Sequence, residues 1–228
     1  IRHLQIKLQP ITKRKQDGFL YTVCIFLKSM KEGGVAMIPF NHLGWLFKYM
    51  GPVSYPRKAV EELCDFLKPV SANAALLDLG AGTGVLSEFA YGCRSDLEFV
   101  ALDPAEGMLR FSPHYVRTHR ARAEALPFEE GSFEVVLIGE ALHHFQEPTK
   151  AMQEIARVLK SEGRLFIYEF DPGTFMGRSI CMAEKMVGEP GHFFAPELLK
   201  ELLEEHGFSV RVNRHGWRYT VHAQLQEG

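Results

Sequence analysis

The sequence predicts an α/β domain of the doubly wound type, with a mostly parallel seven-stranded sheet, one antiparallel strand and helices on both faces. Three observations indicate this fold. Apolar strand-like runs alternate with helix-like segments from about Pro56 onward, a glycine-rich turn follows the first strand, and two strand-like runs are adjacent near the C-terminal end. Strands that alternate with helices form a parallel sheet covered on both faces, and the closing pair supplies the antiparallel strand.

The first half of this domain contains a strand, a glycine-rich turn and a helix in that order. An amphipathic helix over 59–67, with apolar residues at three- and four-residue steps, leads into a buried strand over 74–79. The glycine turn at 80–84 follows directly, as in the opening of a nucleotide-binding half. The remaining elements are a helix over 85–91, strand two over 97–102, a helix over about 104–111 and strand three near 116–121.

The second half alternates strands and helices and then closes with two strands. Gly163 follows the end of an amphipathic helix, and Gly207 follows the end of the last helix, whose leucines at 198, 199, 202 and 203 form its inward face. The elements of this half are strand four at 133–138, a helix at 147–159, strand five at 164–170, the last helix at 195–206 and the closing strands at 208–212 and 217–222, joined by a turn at 214–216.

Composition limits the kind of partner. The 228 residues carry a formal net charge of −2 from interspersed charges, so no broad basic surface predicts nucleic-acid or anionic-membrane binding. The apolar run at 18–27 is too short to span a bilayer. We therefore predict a single cytoplasmic domain that acts on a small molecule, with no nucleic-acid partner and no membrane span. Composition leaves its oligomeric state open.

The four cysteines, at positions 24, 64, 93 and 181, are far apart in the sequence. They form no CxxC pair and have no histidine at metal-ligand spacing, which argues against a disulfide framework and against a zinc site. We interpret them as reduced thiols that behave as small core hydrophobes, and we predict no metal.

Residues 1–36 form a segment that we interpret as a leader or other non-native extension. The chain begins with Ile1, and residues 31–34 (KEGG) can be encoded by a purine-rich string that resembles a bacterial ribosome-binding site just upstream of the codon for Met37. Met37 is then the natural start, and 37–228 is one domain with cap segments at about 37–55 and 171–194. The alternative is an N-terminal arm that packs on the domain.

The glycine turn distinguishes among the nucleotide-binding motifs. Its spacing is GxGxG, with Asp78 two residues before Gly80. The dinucleotide fingerprint GxGxxG needs a glycine at the position of Val85, and nothing in the loop matches the P-loop pattern GxxxxGK(S/T). Glycines in such a turn let the backbone turn tightly and approach a ligand closely.

Four ordered motifs resemble those of the class I S-adenosylmethionine-dependent methyltransferases, whose domain is Rossmann-like. They are, in chain order, LDLGAGTG at 77–84, FVALDP at 99–104, AEALPF at 123–128 with GSF at 131–133, and LHHF at 142–145 with EIARVLK at 154–160. The last of these is similar to the small-molecule subfamily that includes the ubiquinone and menaquinone C-methyltransferases. The resemblance extends from about residue 56 to residue 170, and more loosely to residue 222.

The resemblance implies that S-adenosylmethionine is the cofactor and that Asp103 binds its ribose. Asp103 follows strand two, where an acidic side chain can accept hydrogen bonds from both ribose hydroxyls. The alternative is that Asp103 caps the following helix. Asp78 would support the glycine loop or the cofactor ammonium group. The residues implied to lie against the amino-acid end of the cofactor are Gly80, Ala81, Gly82 and Gly84.

The same resemblance assigns residues to the adenine end of the cofactor. Pro104 and Met108 would pack on the ring, although Met108 is equally explained by core packing, and Ala123 would offer its backbone N–H. Many relatives carry an acid before this alanine, but here the residue is Arg122, which has donors only. Adenine is then held by backbone atoms or by Glu124, which could otherwise be a surface residue.

The resemblance also implies direct in-line methyl transfer. A sulfonium methyl is already activated, so the reaction needs alignment and a dry pocket more than a metal, a covalent intermediate or acid–base help. An oxygen or carbon acceptor would still benefit from a base, and Glu140, His143 and His144 follow strand four. Glu140 either borders the methionine end of the cofactor or is a rim carboxylate. We expect at most one histidine to face the pocket; alternatively, both shape the loop.

Apolar residues in the cap segments favour a small, partly apolar acceptor, unless they simply belong to the core. They are Phe40, Trp45, Phe47, Tyr49, Tyr55, Phe175, Met176, Phe193 and Phe194. Neither the acceptor nor the atom that is methylated follows from the sequence. Two other functions stay open: a non-catalytic protein that binds S-adenosylmethionine for regulation, and an NAD-dependent oxidoreductase, which Val85 disfavours.

Overall fold

The computed structural model describes residues 54–186 and 191–227, together with Gly44, Lys48, Tyr49, Gly51 and Pro52. The predicted leader at 1–36 lies outside the described residues, as does most of the cap segment at 37–55. The hypothesis that Met37 is the natural start therefore stays a prediction.

Helices and strands alternate through most of the described chain. In order they are α1 (Arg57–Leu67), β1 (Ala75–Leu79), α2 (Val85–Cys93), β2 (Glu98–Leu102), α3 (Glu106–Leu109), β3 (Arg117–His119), β4 (Phe133–Gly139), α4 (Pro148–Val158), β5 (Leu159–Phe170), α5 (Phe175–Met186), α6 (Pro196–Glu205), β6 (Phe208–His215) and β7 (Arg218–Leu225). The seven strands form one sheet in the order β3-β2-β1-β4-β5-β7-β6. Strand β7 is antiparallel to β5 and to β6, and the other pairings are parallel. The predicted fold class is confirmed.

Helices cover both faces because successive strand side chains point to opposite sides. Leu77 of β1 faces the layer that contains α4 and α6, whereas Leu76 faces the layer that contains α1 and α2. Both leucines are fully buried, and each contributes about 1.5–3 kcal/mol of hydrophobic stabilisation. The turns after β1, β2 and β4 meet at the carboxyl edge of the sheet, where doubly wound folds bind their ligands. Among the described residues, no helix has the length and hydropathy that a membrane span requires.

Some predicted boundaries differ from the structure. Strand β5 begins at Leu159, directly after α4, so Gly163 lies within the strand and does not terminate a helix. A register shift between Phe133 and Val135 accommodates the longer strand. Leu198, predicted to face inward, is 56% exposed. The buried face of α6 is formed by Pro196, Leu199 and Leu203.

The interpretation of all the cysteines as reduced thiols is wrong for one pair. Cys64 of α1 and Cys93 of α2 form a disulfide, with their Cα atoms 5.1 Å apart. The two helices pack side by side on the same face of the sheet, which brings residues 29 positions apart in the sequence into bonding distance. Cys181 is a free and buried cysteine, as predicted.

Candidate cofactor and acceptor site

The glycine turn between β1 and α2 lies against the ends of two neighbouring strands. The backbone N–H groups of Gly80 and Ala81 both donate to the carbonyl of Leu102, at 2.8 and 3.1 Å. Gly80 has a φ of +71°, and a Cβ built on it would lie 2.5 Å from the Cβ of Ala141. Both the backbone conformation and the close approach require glycine at this position. The segment after β4 therefore borders the turn directly.

Asp78 stabilises the glycine turn through hydrogen bonds to the helix that follows it. Its Oδ2 accepts hydrogen bonds from the backbone N–H and the hydroxyl of Ser87, at 3.0 and 2.6 Å, which ties β1 to the first turn of α2. Burial raises the pKa of Asp78 to about 6, against the opposing effect of the Ser87 hydrogen bonds. Of the two roles predicted for Asp78, this geometry supplies loop support. The contact with the cofactor ammonium stays a prediction.

Asp103 links the end of β2 to the middle of the glycine turn. Its Oδ2 accepts from the backbone N–H of Gly82 at 2.9 Å, and its Oδ1 accepts from that of Ala105 at 2.7 Å. The second bond is a local turn of the Asx type and not a helix cap, because the N-cap residue of α3 is Ala105, which has no side-chain capping bond. A carboxylate has about four acceptor sites, which leaves capacity for ribose hydroxyls. Burial raises the pKa of Asp103 despite these two bonds.

The residues predicted for the adenine end are only partly together. Met108 is buried, and its Cε lies 3.3 Å from the position of a Cβ on Gly82, so it packs on the glycine turn. Ala123 is also buried, whereas Pro104 is exposed. Glu124 is buried and is turned to α4: its Oε1 accepts from the backbone N–H groups of Gln146 and Glu147, at 2.6 and 3.2 Å. Glu124 is therefore not a surface residue, and its contact with adenine stays a prediction.

Glu140 lies at the end of β4 in a strained conformation and forms a buried ion pair. Its φ is +51°, a region that costs a residue other than glycine about 1 kcal/mol or more. Its Oε1 lies 2.7 Å from Nη2 of Arg218, the first residue of β7. Burial raises the pKa of Glu140, and Arg218 opposes this shift.

Tyr168 and Tyr55 pack beside the ion pair between Glu140 and Arg218. Arg218 donates to the hydroxyl of Tyr168 at 2.7 Å and to the carbonyl of Ser54. Tyr168 donates to the same carbonyl, and its ring stacks on Tyr55 with centroids 4.7 Å apart. Sequence reasoning missed Arg218 and Tyr168. The available signal was that both residues are polar or charged and lie near the carboxyl edge of the sheet. Arg218 can be placed at that edge only once β7 is known to run antiparallel to β5.

His143 is held by a carboxylate and by aromatic rings. Its Nδ1 donates to Glu169, at 3.0 and 2.9 Å from the two carboxylate oxygens, and Glu169 also accepts from the backbone N–H of Leu142. Phe170 and Phe193 contact the imidazole, with centroids at 4.9 and 5.4 Å. Burial disfavours the imidazolium, but the nearby carboxylates, above all Glu169, outweigh it and raise the pKa of His143 to about 9.

The two histidines lie side by side, and the expectation that at most one of them faces the acceptor pocket stays a prediction. The His143 and His144 ring centroids are 4.1 Å apart. Burial and the neighbouring His143 charge lower the pKa of His144 to about 3. Glu184 of α5 approaches the same place, with Oε2 at 3.5 Å from Nε2 of His143. Both histidines belong to the segment after β4, where Leu142–His144 forms a single 3-10 turn.

A doubly wound sheet with a glycine turn after β1 and an acid at the end of β2 defines a nucleotide-cofactor-binding α/β protein. A family model described as "Methyltransferase domain" matches residues 77–167. A demethylmenaquinone methyltransferase of Thermus thermophilus is 30% identical over 200 residues, which cover 75% of this chain and 89% of that protein. The chain belongs to the class I S-adenosylmethionine-dependent methyltransferases and resembles their menaquinone subfamily.

Solved structures show the same fold. A methyltransferase of Thermotoga maritima, described as a possible histamine N-methyltransferase, has a TM-score of 0.66 at 21% identity, covering 82% of this chain and 98% of that chain. Phosphoethanolamine N-methyltransferase 2 of Haemonchus contortus, in complex with S-adenosylmethionine, has a TM-score of 0.68 at 15% identity, covering 86% of this chain and 61% of that chain. Apart from the Thermus protein, the curated relatives compared match over only 23–52% of their own length.

Proposed function

We propose that this protein transfers the methyl group of S-adenosylmethionine to a small-molecule acceptor by direct in-line displacement. The observation that carries this proposal is the bond from Gly82 N–H to Asp103. This bond supports the proposal because it holds Asp103, the proposed ribose-binding acid, beside the turn that would receive the amino-acid end of the cofactor. The predicted cofactor contacts are part of this proposal, and they involve Asp78, Gly80, Ala81, Gly82, Gly84, Asp103, Pro104, Met108, Ala123, Glu124 and Glu140.

The acceptor is proposed to bind beyond the end of β4, on the side of Glu140 and His143. Phe170 and Phe193 supply apolar surface there, while Glu140 and Arg218 supply charge. A small and partly apolar acceptor fits this mixture, and the Thermus relative is named for demethylmenaquinone. Phe175 and Met176 are exposed, so the alternative that the cap residues are all core is wrong for these two.

The transfer itself requires alignment more than acid–base catalysis. Glu140, His143 and His144 remain the candidates for a base. Glu169 restrains the His143 ring, so we infer that His143 also helps to shape the pocket. The cytoplasmic location stays a prediction, and because disulfides are uncommon there, the redox state of Cys64 in cells would test it.

Asp103→Ala is expected to weaken binding of both S-adenosylmethionine and S-adenosylhomocysteine about ten- to hundredfold, because charge-assisted hydrogen bonds contribute roughly 1.5–3 kcal/mol. Calorimetry on the full chain measures both affinities, and circular dichroism verifies the fold. Asp96→Ala is the matched control, since Asp96 pairs with Arg94 on the surface. Unchanged affinity in a folded Asp103→Ala protein would show that Asp103 only supports the local backbone.

An acceptor screen that measures release of S-adenosylhomocysteine tests the activity. We expect stimulated release with at least one small, partly apolar acceptor. Binding of the cofactor without release for any acceptor would favour the non-catalytic, regulatory alternative. Binding of NADH without S-adenosylmethionine would favour the oxidoreductase, which Val85 already disfavours.

A further inference from the structure

Three side chains beyond the end of β4 place potential metal ligands together. They belong to His143, His144 and Glu184, and one ligand atom from each lies within 4.8 Å of the others. Nε2 of His143 and Oε2 of Glu184 are 3.5 Å apart. In a tetrahedral site with bonds of about 2.0–2.1 Å, ligand atoms are roughly 3.3–3.4 Å apart. One of the three pairs is therefore already near ligand spacing, and the ligand atom of His144 lies within 4.8 Å of both.

Glu169 orients the first of these ligands. It accepts the Nδ1–H of His143, so the other ring nitrogen, Nε2, is the one directed at Glu184. Metal-binding histidines almost always donate their second N–H to a carboxylate, a carbonyl or water in this way. The backbone N–H of Leu142 and the rings of Phe170 and Phe193 further restrain the pair. The ligand is therefore oriented before any ion arrives.

The local charge also suits a cation. Glu169 and Glu184 are 5% and 21% exposed, and both face the same imidazole. A divalent ion bound at Nε2 would displace the proton that these carboxylates hold on His143, and the two carboxylates would then balance its charge.

We propose that His143, His144 and Glu184 form a binding site for a divalent transition-metal cation such as Zn²⁺, with Glu169 as the orienting carboxylate. Two imidazoles and one carboxylate suit Zn²⁺ and similar ions, and three protein ligands leave a coordination position open. This role rests on the proposed function: the open position would bind water or an oxygen atom of the acceptor. The sequence expectation of no metal rested on ligand spacing and on the activated sulfonium methyl, and spacing does not reveal Glu184 because it lies 40 residues or more from the histidines.

Titration calorimetry of Zn²⁺ into tag-free, chelator-treated full chain tests this site. We expect one saturable site, and Co²⁺ bound there should give the visible absorption of a low-coordinate ion. Glu184→Gln should weaken Zn²⁺ binding by at least about tenfold to hundredfold, the loss found when metal sites are perturbed. Glu62→Gln is the matched control: Glu62 contacts His215 at 3.0 Å and lies 3.9 Å from His222, and it should leave the affinity unchanged.

Absence of saturable Zn²⁺ binding, or equal affinity in the natural protein and Glu184→Gln, would overturn the site. Loss of binding in Glu62→Gln but not in Glu184→Gln would overturn it as well. If Glu184→Gln does not fold, His144→Gln decides by the same criterion. S-adenosylhomocysteine binding is measured separately on the metal-free protein. Intact cofactor binding without Zn²⁺ binding removes only this inference, whereas Zn²⁺ binding without cofactor binding removes the proposed function alone.

Discussion

Arg218→Met is expected to lower the free energy of unfolding by about 3 kcal/mol, the lower end of the cost of breaking a buried ion pair. The substitution leaves the carboxylate of Glu140 without its partner in a place where its side chain is only 23% exposed. It also removes the donor to the Tyr168 hydroxyl and one of the two donors to the Ser54 carbonyl. We choose the lower end because Glu140 retains some contact with solvent. Urea denaturation followed by circular dichroism measures the change.

Arg57→Met is the matched control for this prediction. Arg57 also pairs with a carboxylate, that of Glu61 at 2.7 Å, but both side chains are more than half exposed, so the loss should be small. The double variant Arg218→Met with Glu140→Gln should recover part of the loss, because it removes the uncompensated charge. Equal losses for Arg57→Met and Arg218→Met would contradict the importance of the buried pair.

Reduction of the Cys64–Cys93 disulfide is expected to destabilise the fold by about 3–4 kcal/mol, from the entropy regained by a loop with a sequence separation of 29 residues. In a protein of this size the melting temperature should fall by roughly 6 to 15 °C. Differential scanning fluorimetry with and without dithiothreitol measures it. The physical reason is that the crosslink restricts the unfolded chain, in which α1 and α2 are otherwise independent.

The variant Cys64→Ser with Cys93→Ser should melt at the lower temperature whether or not dithiothreitol is present. Cys181→Ser is the control, because Cys181 is buried but forms no disulfide, and this variant should keep the full response to dithiothreitol. Alkylation of Cys64 in the unreduced protein, detected by peptide mass spectrometry, would show that the crosslink is absent.

The cofactor side of the site was predictable because its residues are local in the sequence. Asp78, Gly80 and Gly82 lie within one strand-and-turn unit, and the pattern of strand, glycine turn and helix is enough to place them at the carboxyl edge. Asp103 is further along the chain, but parallel pairing of β1 and β2 brings it to the same edge. The local periodicity therefore predicts both the elements and their convergence.

The rest of the site depends on packing that local patterns do not contain. Glu169, Glu184 and Arg218 reach the end of β4 through strand β5, the return of helix α5 and an antiparallel strand. The Cys64–Cys93 pair likewise depends on which helices are neighbours. Leu159 shows a limit of periodicity itself, because an inward residue at the end of a helix looks the same as the first buried residue of a strand.

Much of the region beyond β4 comes from outside the stretch that carries the glycine turn. The glycine turn, Asp78 and Asp103 all lie inside residues 77–167, the part that matches the family model. Glu140 and the two histidines also lie inside it, but the side chains that pack around them at positions 55, 168, 169, 184, 193 and 218 do not. Substitutions in these outer segments would therefore alter the surroundings of Glu140 and His143 while the proposed methyl-donor loop stays intact. Such a division would let related chains differ in acceptor while they keep one methyl donor.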